Sequence, residues 1–119
     1  MNTEDLPLLK DTKEFIKILD KELMNIPRFE RFTLGTAMLN HCIYLIEDLT
    51  KANRLIEKRE ENLNKFLSDF EPIGVILSIL FENRYFSEKV MLRLGRQQRK
   101  ILKQATAWRN KTHSKGNNV

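Results

Sequence analysis

Arg93, Arg96, Lys100 and Lys103 recur at steps of three, four and three residues. At 3.6 residues per turn that spacing keeps all four on one side of an α-helix. Lys89 and Arg99 flank the row, and Arg109 and Lys111 continue the basic run toward the C-terminus. Ammonium and guanidinium groups in such a line can meet successive phosphates of a polyanion, and each contact releases condensed counterions. The row has no device for reading base edges, so the binding it implies is dominated by the backbone and weakly selective for sequence. A solvated basic face produces the same pattern, and the residues alone leave both readings open.

The distribution of charge sharpens the question. The net charge is +5, yet residues 1–88 hold 12 Lys and Arg against 16 Asp and Glu, whereas residues 89–119 hold 9 Lys and Arg and no acid. The first part is therefore at −4 and the last at +9, an asymmetry typical of chains that engage nucleic acid.

Other chemistry is harder to find. His41 and His113 have no His or Cys neighbour at metal-ligand spacing, so no zinc site is readable. Cys42 sits beside Ile43, Leu45 and Ile46, where a thiol packs rather than reacts, and a single cysteine can form no internal disulfide. Phosphate-loop, dinucleotide, nucleophile-elbow and zinc-protease motifs are all missing from the sequence. The carboxylate pairs Glu47-Asp48 and Glu60-Glu61 are adjacent residues, which point in different directions on a helix. The expectation is a binding protein with no catalytic residues, no cofactor, no metal and no small-molecule substrate. Trp108 could stack on a base, but its spacing from Ile101 and Ala105 also suits a core or interface role.

The elements that must carry the basic row are read from apolar spacing. Leu9, Phe15, Ile16, Leu19 and Leu23 mark a first amphipathic helix, and Asn25-Ile26-Pro27 breaks it. Proline is favoured at the start of a helix, so a second begins near Pro27. It runs to a turn near Asn53 and carries Phe29, Phe32, Leu34, Met38, Leu39, Cys42, Ile43, Tyr44, Leu45, Ile46 and Leu49. These cover more than the single stripe that one core contact requires, which predicts that part of this helix faces a partner subunit. Gly35 and Ala37 near its start permit close approach of another helix.

A third helix shows Leu63, Phe66, Leu67, Phe70, Ile73, Leu77 and Leu80, with Pro72 inside it expected to bend it. Ser87 followed by Glu88 reads as the cap of a fourth, whose apolar face is Val90, Met91, Leu94, Ile101, Leu102, Ala105 and Trp108. That helix is expected to end near Asn110. The domain reading is one helical domain over residues 1–110 and a basic disordered tail over 111–119. The longest apolar run, residues 73–81, is far short of the roughly 20 residues a membrane span needs, and the acidic N-terminus is unlike a signal peptide. A cytoplasmic protein that makes no membrane contact is the expectation.

Residues 26–35, Ile-Pro-Arg-Phe-Glu-Arg-Phe-Thr-Leu-Gly, resemble the F-P-K-x-E-R-[FY]-T-L-G signature that opens the second helix of Avd-like four-helix-bundle proteins. Pro27, Glu30, Arg31, Phe32, Thr33, Leu34 and Gly35 fit the signature, while Ile26 replaces its aromatic; the likeness extends over nearly the whole chain. That family comprises accessory proteins of diversity-generating retroelements and relatives encoded in intervening sequences of bacterial ribosomal RNA genes. The resemblance implies an all-α, antiparallel up-and-down four-helix bundle assembling as a homopentamer. It further implies a basic surface that binds a reverse transcriptase with its template RNA and cDNA, in support of mutagenic reverse transcription. An oligomeric scaffold, or a protein of the ribosomal branch with no reverse transcriptase partner, is the alternative. Pro72 departs from the family's uninterrupted third helix. The signature residues themselves read as architectural, with Glu30 and Arg31 suited to an ion pair with a neighbouring helix or subunit.

Overall fold

The computed structural model describes Asn2, Thr3 and residues 6–117, and the described residues form helices joined by short turns, with no strand. Helix α1 spans Pro7–Leu23. Helix α2 is built of Arg28–Glu30, a π-helical turn Arg31–Gly35 and an α-helical run Thr36–Arg54. Helix α3 spans Arg59–Glu82 and α4 spans Glu88–Asn117. The arrangement is compatible with a helical bundle of 52 × 21 × 21 Å.

Proline opens α1 as Pro7 and precedes α2 as Pro27, where its fixed φ suits a helix start and its missing N–H is no loss. In α1, Leu8, Leu9, Phe15, Ile18, Leu19 and Leu23 are buried at helical spacing. Thr12 is buried with them because its hydroxyl donates to the Leu8 carbonyl at 2.7 Å.

The signature occupies the irregular start of α2. A π turn shifts the backbone ladder by one residue, and hydroxyls take up carbonyls around it: Thr33 donates to Phe29 O at 2.8 Å and Thr36 to Arg31 O at 3.4 Å. Gly35 is buried against α1, and a Cβ there would sit 3.4 Å from Leu23 Cδ2. Glu30 takes a different partner from the ion pair expected of it. Its Oε1 accepts the Tyr85 hydroxyl at 2.8 Å, fastening the start of α2 to the connection between α3 and α4. Arg31 instead lies 5.3 Å from the Phe32 ring centroid.

The turn read near Asn53 falls at Leu55, which leaves helical conformation at φ −102° and ψ 84° before a single 3-10 turn, Ile56–Lys58. No proline or glycine marks it because the stop comes from Arg59. Its Nε donates to Ala52 O at 2.7 Å and its Nη2 to Asn53 O at 3.1 Å, satisfying carbonyls that the end of α2 leaves open. Helix α3 continues through Pro72, which removes one backbone donor from that turn.

Phe15, Phe66 and Phe70 form the aromatic centre of the core, with ring centroids 5.1 Å apart for Phe15 and Phe70 and 5.9 Å for Phe66 and Phe70. Leu94, Ile101 and Ala105 of α4 are buried in the same core, and Val90, Met91, Leu102 and Trp108 pack against it. The apolar face read for the fourth helix is thus the face that packs.

The C-terminal boundary differs from the sequence reading. Helix α4 runs on past Asn110 through Asn117, so most of the 111–119 tail is helical; residues 118 and 119 lie outside the described residues. Two tertiary contacts hold the added turns: Trp108 packs under Arg59 at 5.2 Å, and His113 Nδ1 lies 2.7 Å from Glu60 Oε1.

Candidate nucleic-acid interface

Because Leu94, Ile101 and Ala105 turn inward, the residues about half a helical turn away from them turn out. Lys89, Arg93, Arg96, Arg99, Lys100, Lys103 and Lys111 are all exposed. The helix starts where it does because the Ser87 hydroxyl accepts the Val90 N–H at 3.2 Å, as the sequence suggested. Ahead of that cap, Arg84 takes a positive φ of 64°, and the N–H groups of Tyr85 and Phe86 both donate to the Leu80 carbonyl. That turn sets the direction in which α4 leaves α3.

The row is fixed to α1 along one edge. Asp11 lies 3.2 Å from Lys100 Nζ and accepts the Gln104 amide at 2.6 Å, while the Gln97 amide donates to the Asp11 carbonyl at 2.8 Å. Lys100 therefore reaches a phosphate only in competition with an acid, and exposed pairs of this kind contribute little stability, about 0–1 kcal/mol. Arg93, Arg96, Arg99 and Lys103 have no such competitor among the described salt bridges.

Arg109, grouped with the phosphate contacts on sequence, does not join the row. It is half-buried on the α3 side, where Nη1 donates to Asn64 Oδ1 at 3.3 Å and Nε and Nη2 donate to the side-chain oxygen Oδ1 of Asn110. Lys111 is exposed but lies two turns beyond Lys103, against the corner between α2 and α3. The sequence reading also passed over Lys10, Lys17 and Lys21, which are exposed on the helix that Asp11 ties to α4. Their spacing of seven and four was a signal of the same kind, hidden by the acids Asp11, Glu14 and Asp20 among them.

The groups that could support other chemistry are differently placed. Cys42 is buried in α2, and burial pushes its thiol up to about 12, which keeps it protonated and unreactive. Among the described residues no group of three or more His, Cys, Asp or Glu could hold a metal ion. No helix among them is long and apolar enough to cross a membrane.

The helix that exceeded a single apolar stripe does leave large side chains in water. On α2, Phe29 is 74% and Phe32 59% exposed, and Ile43, Tyr44 and Ile46 are also exposed; on α3, Val75 and Ile79 are. Comparisons of the chain with family models, with curated proteins and with solved structures gave no match.

Proposed function

We infer that this chain is an accessory protein that binds the phosphate backbone of RNA and DNA through the outer face of α4. The observation that carries this reading is the exposed row Lys89, Arg93, Arg96, Arg99, Lys100 and Lys103 on a helix whose opposite face is core. Such a row is rigid and repeats at the helix pitch, so phosphate contacts do not require ordering of a flexible tail.

The finer reading follows the signature at residues 27–35. The protein is an antiparallel up-and-down four-helix bundle of the Avd type. The pairs Glu60–His113, Asn64–Arg109 and Gly74–Gln98 favour that topology for α3 and α4, because one number rises as the other falls. It acts in the cytoplasm as a homopentamer, without catalytic activity of its own. There it presents template RNA and cDNA to the reverse transcriptase of a diversity-generating retroelement. A second reading, an oligomeric scaffold or a ribosomal-branch relative with no reverse transcriptase partner, draws on the exposed Phe29, Phe32, Ile43, Val75 and Ile79. Such surfaces mark interaction sites when they are contiguous.

The test is a quadruple substitution, Arg93, Arg96, Lys100 and Lys103 each to Gln. Glutamine is a good helix former and these side chains lie off the core, so the circular dichroism signal is retained. Affinity falls for RNA and DNA alike. The slope of log K against log salt flattens by roughly 1.5 to 3.5, the value for two to four lost phosphate contacts. An unchanged slope and affinity in the variant, or no salt-dependent binding by the wild type, leaves the scaffold reading in its place.

A further inference from the structure

At the end of the bundle away from the signature, the corner between α2 and α3 meets the last turns of α4 around a cavity of about 460 Å³. That volume lies within the roughly 300–1,000 Å³ common for pockets that take small ligands. Ile56, Glu57 and Arg59 line it from the corner, and Trp108, Lys111 and Lys115 from α4. The three α4 residues are spaced i, i+3 and i+7, so they share one face of the helix.

The indole is a prepared surface. Trp108 is half-buried, with the Arg59 guanidinium 5.2 Å from its ring centroid, and that guanidinium is itself held by the Ala52 and Asn53 carbonyls. A ring fixed in this way loses little freedom when something stacks on it. Lys111 and Lys115 supply exposed positive charge beside it, and Glu57 supplies an exposed carboxylate. An aromatic plane next to two ammonium groups suits a nucleobase that carries a phosphate. The carboxylate suits a base edge rich in donors, and guanine, with its N1–H beside its amino group, offers more donors than uracil. An acidic peptide has no base to lay on Trp108 and no ring donors for Glu57, so it matches the same wall less well.

We propose that this pocket takes one unpaired guanine nucleotide of a strand, its base against Trp108 and facing Glu57, its phosphate at Lys111 and Lys115. The site rests on the nucleic-acid reading for the class of its ligand. It adds what the basic row lacks, a preference for unpaired bases and for one kind of base.

Trp108 is the only tryptophan of the chain, so its emission reports the pocket directly. The full chain is titrated with a single-stranded RNA oligonucleotide containing guanine, with an oligouridylate of equal length, with GMP and with hexaglutamate. The guanine strand quenches the emission to saturation, and the oligouridylate quenches less at equal concentration. GMP gives the same quench at higher concentration, because it lacks the phosphates that reach the row. Lys111→Gln with Lys115→Gln raises the concentration needed. Glu57→Gln narrows the difference between the guanine strand and the oligouridylate. Trp108→Leu, which keeps apolar bulk in place but offers no ring to stack on, weakens binding of a labelled guanine strand roughly 5- to 150-fold, the range for loss of one stacked base.

Salt-dependent strand binding with unchanged tryptophan emission overturns the pocket and leaves the row standing. Quenching by GMP in a quadruple glutamine variant that binds strands as tightly as wild type retains the pocket and removes the row. Equal quenching by hexaglutamate, or quenching unaltered by the double lysine substitution, overturns the proposal.

Discussion

Asp48 of α2 and Asp69 of α3 lie beside each other across the interface between their helices, and the Oδ2 atom of each is buried with no hydrogen-bond partner among the described residues. Two carboxylates this close cannot both ionise without strong repulsion. Burial, hydrogen bonding toward Asp69 and the Asp69 charge push Asp48 up to about 8, against smaller opposing effects of Lys65 and Lys51. Asp48 therefore keeps its proton at neutral pH, and its carboxylic acid can donate toward Asp69 across the two helices.

The pH dependence of stability follows from that proton. An unfolded Asp releases it near the ordinary value of 3.8, whereas folded Asp48 keeps it until about pH 8. Across that window the folded state binds more protons than the unfolded state, so this contribution is full below about pH 4 and is lost as pH rises toward 8. Asp48→Asn, whose amide can donate to Asp69 without titrating, should flatten the profile. Urea unfolding at pH 5 and pH 9 should show the variant gaining on wild type at the higher pH, by up to about 4 kcal/mol, three pH units at about 1.36 kcal/mol each. An identical pH profile for the two proteins counts against the proton on Asp48.

Tyr85→Phe removes the hydroxyl that Glu30 accepts at 2.8 Å and little else. Urea unfolding should show a small loss of stability, since the variant leaves the Glu30 carboxyl without the donor that ties the start of α2 to the α3–α4 connection. The Glu30 bond and charge also hold the Tyr85 hydroxyl above its ordinary value of 10. Ultraviolet titration of the phenol should therefore show a late-ionising tyrosine in wild type that is missing from the variant.

Arg84 has φ of 64° in the turn that launches α4, a conformation that costs an L-residue with a Cβ about 1 kcal/mol. Its side chain is exposed. Arg84→Gly should leave stability unchanged or raise it by up to about 1 kcal/mol, the relief of strain being offset in part by the freer unfolded chain. Thermal unfolding with a clear loss of stability would assign the arginine a contact beyond its backbone.

Ile43 and Ile46 are exposed on α2, where the apolar width exceeds one stripe. If that face joins subunits, Ile43→Glu with Ile46→Lys should shift light-scattering mass to that of a 14.1 kDa monomer while the helical signal persists. Wild type that is already monomeric at micromolar concentration removes the assembly, and a stable oligomer other than a pentamer removes only the stoichiometry.

Much of the frame was legible because its signals are local. Pro27 before α2, Ser87 before α4 and the inward run Leu94, Ile101 and Ala105 depend on residues within a turn or two of one another. The basic row was legible for the same reason, since a helix converts spacing into a face. The end of α4 was missed because Lys111, His113 and Lys115 carry no apolar period. What holds those turns is Arg59 on Trp108 and Glu60 on His113, both from α3.

Local hydrogen bonding and apolar period are written in the order of residues, so the sequence alone determined the helices, their buried faces and the outward row of cations. Partners far apart in the chain are not written there. Asp11 with Gln104, Glu30 with Tyr85, and the removal of Arg109 from the row by Asn64 arise only when helices pack and side chains 93, 55 and 45 positions apart meet. The cavity beside Trp108 belongs to the same class, since no segment contains both its aromatic wall and its corner.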